Sequence, residues 1–175
     1  MTLSVWLIEE QDMLSRLSLL SAVLVIGLGA SPGMAEPKTA AFFGLLFINT
    51  TLSETSEEEQ ARMQMVEARL VEGLESSGKY QLVDIDPVEP KTRIYSNMSN
   101  CNGCDTDLAN ELGADVAITG EVQKTSNLIL GMSIYIRDAK TGALVAGGSA
   151  DMRGNNDAIW LRTVNWILKN RLLNE

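Results

Sequence analysis

The sequence contains no histidine. That absence removes the usual general base near neutral pH, any Ser-His-Asp or Cys-His pair, and the commonest transition-metal ligand. Basic residues are also scarce, 14 Lys and Arg against 23 Asp and Glu, for a formal charge of -9. Four charged residues, Glu9, Glu10, Asp12 and Arg16, lie in the first 35 positions, so most of the acidic excess belongs to the remainder. An acidic domain repels phosphate backbones, which argues against nucleic acid as a partner. Cysteine occurs only twice. The apolar run near the N-terminus, Leu17 to Ala30, falls short of the roughly 20 residues that a membrane-spanning helix needs.

What is present points to an exported, globular chain. Its 175 residues fit one domain, and 45% hydrophobic with 21% charged residues fits a folded one. Arg16, the apolar run, and Gly33 and Ala35 at the -3 and -1 positions make up a secretory signal peptide, with cleavage expected after Ala35. The first 12 residues carry three acids, which is wrong for the basic start of such a leader. Met13-Leu14-Ser15-Arg16 is the better start, which makes Met13 the expected initiator; the alternative is an uncleaved N-terminal anchor. Residues 36–39 would be a short linker and 40–175 the domain.

The domain pattern is β-α-β-α-β-β-β-α. Ala40–Ile48 is an apolar run that reads as a strand buried on both faces. Ser56 with Glu57, Glu58 and Glu59 begins a helix carrying Met63, Val66, Leu70 and Leu74 at helical spacing up to Gly78. Tyr80–Val83 is a short strand, and residues 87–103 are irregular. Asp105 or Thr106 caps a helix to Leu112, and Val116–Val122 is a strand. Leu128, Leu130, Met132, Ile134 and Ile136 alternate along the next strand, after a turn over Gln123–Ser126. Asp138–Gly142 closes a hairpin onto Leu144–Met152. Asn156-Asp157 caps a last helix with the stripe Trp160, Val164, Ile167, Leu168 and Leu172. Trp160 and Trp166 are both expected to pack beneath it. The fold class is therefore α/β (α+β), a single domain with a mixed five-stranded sheet and helices packed on it.

If the first three strands are parallel, their carboxyl ends share one rim. Asn49, Asp84, Asp86, Lys124, Ser126, Asn127, Arg153 and Asp157 then form a candidate binding rim, with Cys101 and Cys104 at the same end. Ligands favour that end of open α/β sheets, and helix N-termini favour anions. The plainer reading is that polar residues collect where turns need them. Asp84-Ile85-Asp86 has the same two readings, a carboxylate pair or a strand-ending turn. Cys101-Asn102-Gly103-Cys104 lacks the following histidine of a haem motif and the further ligands of a zinc site. It reads as a structural disulfide, with thiol redox chemistry as the alternative because a helix start would lower a thiol pKa.

Leu108-Ala109-x-x-Leu112-Gly113-Ala114-Asp115-x-x-Ile118-x-Gly120-x-Val122 resembles the N-terminal domains of TolB and of CsgG/FlgT-like envelope proteins, with Phe42–Asn49 and Tyr80–Asp84 as their first strands. More closely, residues 40–173 resemble a family of exported proteobacterial proteins of unknown function. The shared features are the Cys-x-x-Cys, the stretch Gly120–Leu130, the Asp138…Gly142 hairpin and Arg153-Gly154-Asn155-x-Asp157-x-x-Trp160. The resemblance implies the fold and a periplasmic location, with a lead toward periplasmic quinoprotein alcohol-oxidation systems. The expectation is a non-catalytic binding or assembly-accessory domain without cofactor or metal, whose partner is another periplasmic or envelope protein and which leaves the membrane after cleavage. Its functional surface would be the rim or a free sheet edge. Two other classes remain, a thiol-disulfide redox protein using Cys101 and Cys104, and a carrier of a small anionic ligand.

Overall fold

A computed structural model describes residues 36–174; the expected signal peptide and the Met13 start lie outside the described residues. The elements run β1 (Lys38–Asn49), α1 (Glu57–Ser76), β2 (Tyr80–Leu82), α2 (Glu89–Thr92), a 3-10 turn (Met98–Asn100), α3 (Cys104–Glu111), β3 (Val116–Ser126), β4 (Ile129–Asp138), β5 (Leu144–Met152) and α4 (Asp157–Ile167), which ends in a π-helical turn (Leu168–Leu172). The sheet order is β2-β1-β3-β4-β5. β1 pairs in parallel with β2 and β3, and the two hairpins add β4 and β5 antiparallel. This is the α/β domain with a mixed five-stranded sheet that the sequence pattern predicts.

One face of the sheet carries the main core. α1 starts where expected: the Ser56 side chain accepts from the Glu59 N–H, and the Glu59 carboxylate accepts from the Ser56 N–H. Met63, Val66, Leu70 and Leu74 then face inward, against Ile118, Val122, Met132, Ile134 and Ile136 of the sheet and Trp160, Val164, Ile167, Leu168 and Leu172 of the last helix. The opposite face holds a smaller cluster built on Ala41, Ala109, Ala114, Ala117 and Ala139, with Phe43 and Leu112 packed on it. The Leu112–Asp115 stretch does specific work there. Gly113 turns the chain with φ +71. The Asp115 carboxylate then accepts the Thr39 N–H and hydroxyl at 2.9 and 2.8 Å, fixing the start of β1 against β3.

Several local expectations are corrected. β3 runs on through Gln123–Ser126, and the turn is Asn127–Leu128, so Leu128 is exposed and does not join the apolar face of β4. The N-cap of α3 is Gly103 with φ 101, not Asp105 or Thr106, both of which are buried. Trp166 is 42% exposed, while Trp160 is fully buried. The irregular 87–103 segment contains α2 and the 3-10 turn. β1 begins at Lys38 and is not flat: its register with β3 shifts between Phe42 and Leu45, where Gly44 has φ +81.

That bulge is built from three elements. Leu45 lies against Gly120, where an added Cβ would meet Leu45 Cδ2 at 2.6 Å and the Ser133 carbonyl at 2.5 Å. The Leu45 N–H donates to Glu67 Oε1 of α1 at 2.7 Å. Burial pushes the Glu67 carboxyl up, and the Leu45 N–H only partly offsets this. Glu67→Ala removes the acceptor of a part-buried N–H and should cost about 1–3 kcal/mol in urea denaturation. Glu67→Gln keeps an acceptor without a charge and should be at least as stable as the parent at neutral pH. The difference between Gln and Glu should close as pH falls. A raised folded pKa gives a contribution that is complete below the unfolded pKa and lost as pH rises through the folded one.

Candidate functional site

The carboxyl ends of β1, β3 and β5 meet the N-termini of α1 and α4, and the rim there is organised around one buried ion pair. Lys124, near the end of β3, is 5% exposed, and Glu59, in the first turn of α1, is 2% exposed. Lys124 Nζ donates to Glu59 Oε1 at 2.5 Å. Asn155 Nδ2 donates to the same oxygen at 2.6 Å. Asn155 Oδ1 in turn accepts from the Trp160 indole N–H at 3.0 Å and from Arg62 at 3.3 Å. Arg62 Nε reaches Asp157 at 2.8 Å. Burial works to raise the Glu59 carboxyl, but the hydrogen bonds from Lys124, the Ser56 N–H and Asn155 outweigh it and hold the group below its ordinary value. A cleft of about 430 Å³ opens above the pair, lined by Ser53, Glu54, Ser56, Asn127 and Asn155.

Of the residues expected on the rim, Asn49, Lys124, Ser126, Asn127, Arg153 and Asp157 are at this end. Asn49 serves its own loop: Oδ1 accepts from the Thr51 N–H and hydroxyl, and Nδ2 donates to the Ser53 carbonyl. Ser126 accepts the Leu128 N–H in the turn. Arg153 stands exposed beyond β5. Asp84 and Asp86 are elsewhere, because β2 is only 3 residues long and pairs with Lys38–Ala40, the beginning of β1. Asp84 Oδ1 accepts the Asp86 N–H, a strand-ending turn.

Cys101 and Cys104 are bonded to each other, with Cα atoms 5.5 Å apart. They too lie off the rim, in a segment docked on β3 and on the C-terminal end of β4. Asn97 donates to Glu121, and Arg137 donates to the Ser99 carbonyl and to Asp105 at 2.9 Å. Cys104 is buried in the first turn of α3, while Cys101, the more open of the two, precedes the helix.

The first turns of α1 and α4 are already capped by side chains. Ser56 and Asn156 side chains cap α1 and α4, and Glu57, Glu58, Glu59 and Asp157 occupy those turns. Among the described residues, no group of three or more Cys, Asp or Glu is placed to hold a metal ion. Sequence reasoning took Glu59 as one acid among three, Asp105 as a helix cap and Asn155 as part of the Arg153-Gly154-Asn155 motif, and gave Arg62 and Arg137 no role. The Ser-x-x-Glu spacing of a capping box singles out Glu59; no local signal marks the others.

The chain matches, over residues 38–172, the model of the family DUF3280, described as a protein of unknown function (DUF2380), and belongs to that family. Among curated proteins none matches it in sequence. Solved structures similar to it include the C-terminal domain of LpoB from Salmonella enterica, at 12% identity and TM-score 0.46 over 70% of this chain and 87% of that one. Lipoprotein GNA1162 from Neisseria meningitidis is similar at 16% identity and TM-score 0.47, covering 69% and 84%. The PelC dodecamer from Paraburkholderia phytofirmans is similar at 15% identity and TM-score 0.44, covering 78% and 89%.

Two outcomes test the site's chemistry. Lys124→Met leaves a buried carboxylate without its cation and should cost about 3–5 kcal/mol in chemical denaturation. Adding Glu59→Gln should return most of that loss, a coupling that a double-mutant cycle reads directly. Because the folded Glu59 carboxyl is depressed, its contribution is complete above the unfolded pKa and lost as pH falls through the folded one, so Glu59→Gln should flatten the acid limb of stability. The disulfide should have a potential below about -300 mV, as structural bridges do, and the reduced protein should melt lower. A potential between roughly -120 and -270 mV, with no loss on reduction, would make the pair a redox centre.

Proposed function

We propose that this member of the family works outside the cytoplasm as a non-catalytic binding or assembly-accessory domain, and that it takes an extended segment of another envelope protein along the free edge of β5. That edge, uncovered among the described residues, carries this reading. β5 is the outermost strand, 9 residues long, and Asp151 is its only charged residue. Proteins ordinarily protect such an edge with Lys, Pro or a covering segment, because its unpaired N–H and C=O groups template another strand. Here Leu144 and Val145 are instead 60% and 44% exposed.

The flank of that edge also suits a partner. An added Cβ at Gly148 would meet Arg171 Cβ at 2.5 Å, and at Gly73 of α1 it would meet Leu168 Cδ1 at 2.6 Å. Ile167 thus faces the sheet and Leu168 faces α1. Trp166, about 100° to the other side of Ile167, points out past β5. The Arg171 guanidinium lies over its ring at 5.3 Å. An exposed Trp with an Arg beside a free strand is a composition that interface anchors favour.

Export rests on the leader pattern before Glu36 and fits the bonded cysteines, since disulfides persist in oxidising compartments. The absence of histidine and the mutual engagement of Glu59 and Lys124 support binding over catalysis. Kinship with TolB and CsgG-like domains rests on the Leu108–Val122 pattern, with Phe42–Asn49 and Tyr80–Asp84 as the matching first strands. The longer resemblance directs the search for a partner toward periplasmic quinoprotein oxidation systems. The test is a photo-crosslinker at Ser149 in producing cells. One defined adduct is expected, lost when Val145→Lys and Trp166→Ala are added, while the melting temperature of the domain stays within about 0.5 kcal/mol equivalent of the parent. An adduct formed from Asn127 and not from Ser149, or one indifferent to the edge substitutions, would overturn the proposal.

A further inference from the structure

The disulfide loop carries a feature that neither the fold nor the proposed binding edge uses. Asn102 is the one non-glycine residue with a positive φ among the described residues, at 61°. Of the 11 asparagines in the chain, it alone is followed by glycine. Its side chain is exposed and makes no hydrogen bond to any described residue. Space around Gly103 is open too: a Cβ placed there would have Thr106 Oγ1, at 3.8 Å, as its nearest neighbour. Several other asparagines are held. Asn49, Asn97, Asn155 and Asn156 each spend a side-chain atom on the loop or helix start they serve.

We infer that Asn102 is a self-modification site, where the folded protein converts its side-chain amide to a carboxylate through a cyclic imide. The Gly103 backbone nitrogen, having given up its proton to hydroxide, attacks the Asn102 side-chain carbonyl carbon. A C–N bond forms, and the side-chain nitrogen leaves as ammonia. Water then adds to either carbonyl of the imide and opens it to aspartate or to isoaspartate. The balance is one water consumed and one ammonia released, with no oxidant or reductant. Glycine matters because it has no Cβ to obstruct the attack on its neighbour. The product sets a negative charge just ahead of α3, a helix start that has no side-chain cap, where the helix dipole favours an anion.

The experiment incubates the folded, oxidised protein at neutral and at mildly alkaline pH and follows it by isoelectric focusing, peptide mapping and isoaspartate methyltransferase labelling. The expected result is an acidic shift of a single charge, mapped to Cys101–Cys104, faster at the higher pH. It should be absent in Asn102→Gly, a variant whose backbone keeps the positive φ without strain. The inference is overturned if the folded protein retains Asn102 over the period in which the reduced, urea-unfolded chain converts it. It is equally overturned if Asn102→Gly acquires the same charge at the same rate.

Discussion

The Glu59–Lys124 pair is the constraint on which the upper half of the molecule depends. Two opposite charges buried together are tolerable only when geometry is good and further hydrogen bonds satisfy their remaining donors and acceptors. Glu59 meets that condition through three partners that come from different places: its own helix start at Ser56, the end of β3 at Lys124, and the β5–α4 connection at Asn155. Asn155 then takes the indole N–H of Trp160, whose ring lies 5.9 Å from Phe47 of β1. So α1, β1, β3, β5 and α4 must be in place together, or a charge is left unpaired in the core. The pair contributes registration more than net stability, since a buried ion pair gains little over apolar packing but is costly to break.

That constraint also decides what the rim can do. A cation meant for a ligand has to be free to meet it. Lys124 is engaged by a carboxylate, and the capped helix starts beside it carry acids of their own. In the wall of the cleft above, the Ser56 side chain serves the helix cap and Asn155 serves the Glu59 network. The ion pair therefore clasps the elements that meet at this end of the sheet. Chemistry at the sheet's other polar cluster is similarly tied down: Arg137 holds Asp105, Thr119 and the Ser99 carbonyl, which docks the disulfide segment onto β3 and β4.

Much of the fold was legible in the sequence because local rules and global packing agree in it. The α4 stripe, the Ser56 and Asn156 caps and the Asp138–Gly142 hairpin each read from a few neighbouring residues. The misses have physical causes. Leu128 continues the alternation of β4, yet it sits at the tip of a two-residue turn, where nothing remains to pack on it. Asp105 has the composition of a cap, and its burial is explained only by Arg137, 32 positions away. The rim was over-filled because strand direction was followed without strand length; β2 ends beside Ala40, far below Asn49. Gly44 inside an apolar run was a readable sign of a bulge. Trp166 was readable as well, since it falls outside the Trp160–Val164–Ile167 spacing that defines the buried stripe.

The same comparison locates the surface where composition and packing disagree. At Gly148 the small residue is required, because Arg171 fills the space a side chain would need. At Leu144 and Val145 no such requirement exists: these positions are exposed, and a lysine at either would discourage strand pairing. The chain instead places large apolar side chains at the start of an edge strand and leaves a tryptophan exposed beside it. An edge that is apolar and uncovered among the described residues gives a partner a place to enter, since main-chain hydrogen bonding there needs nothing from the ion-pair network at the rim.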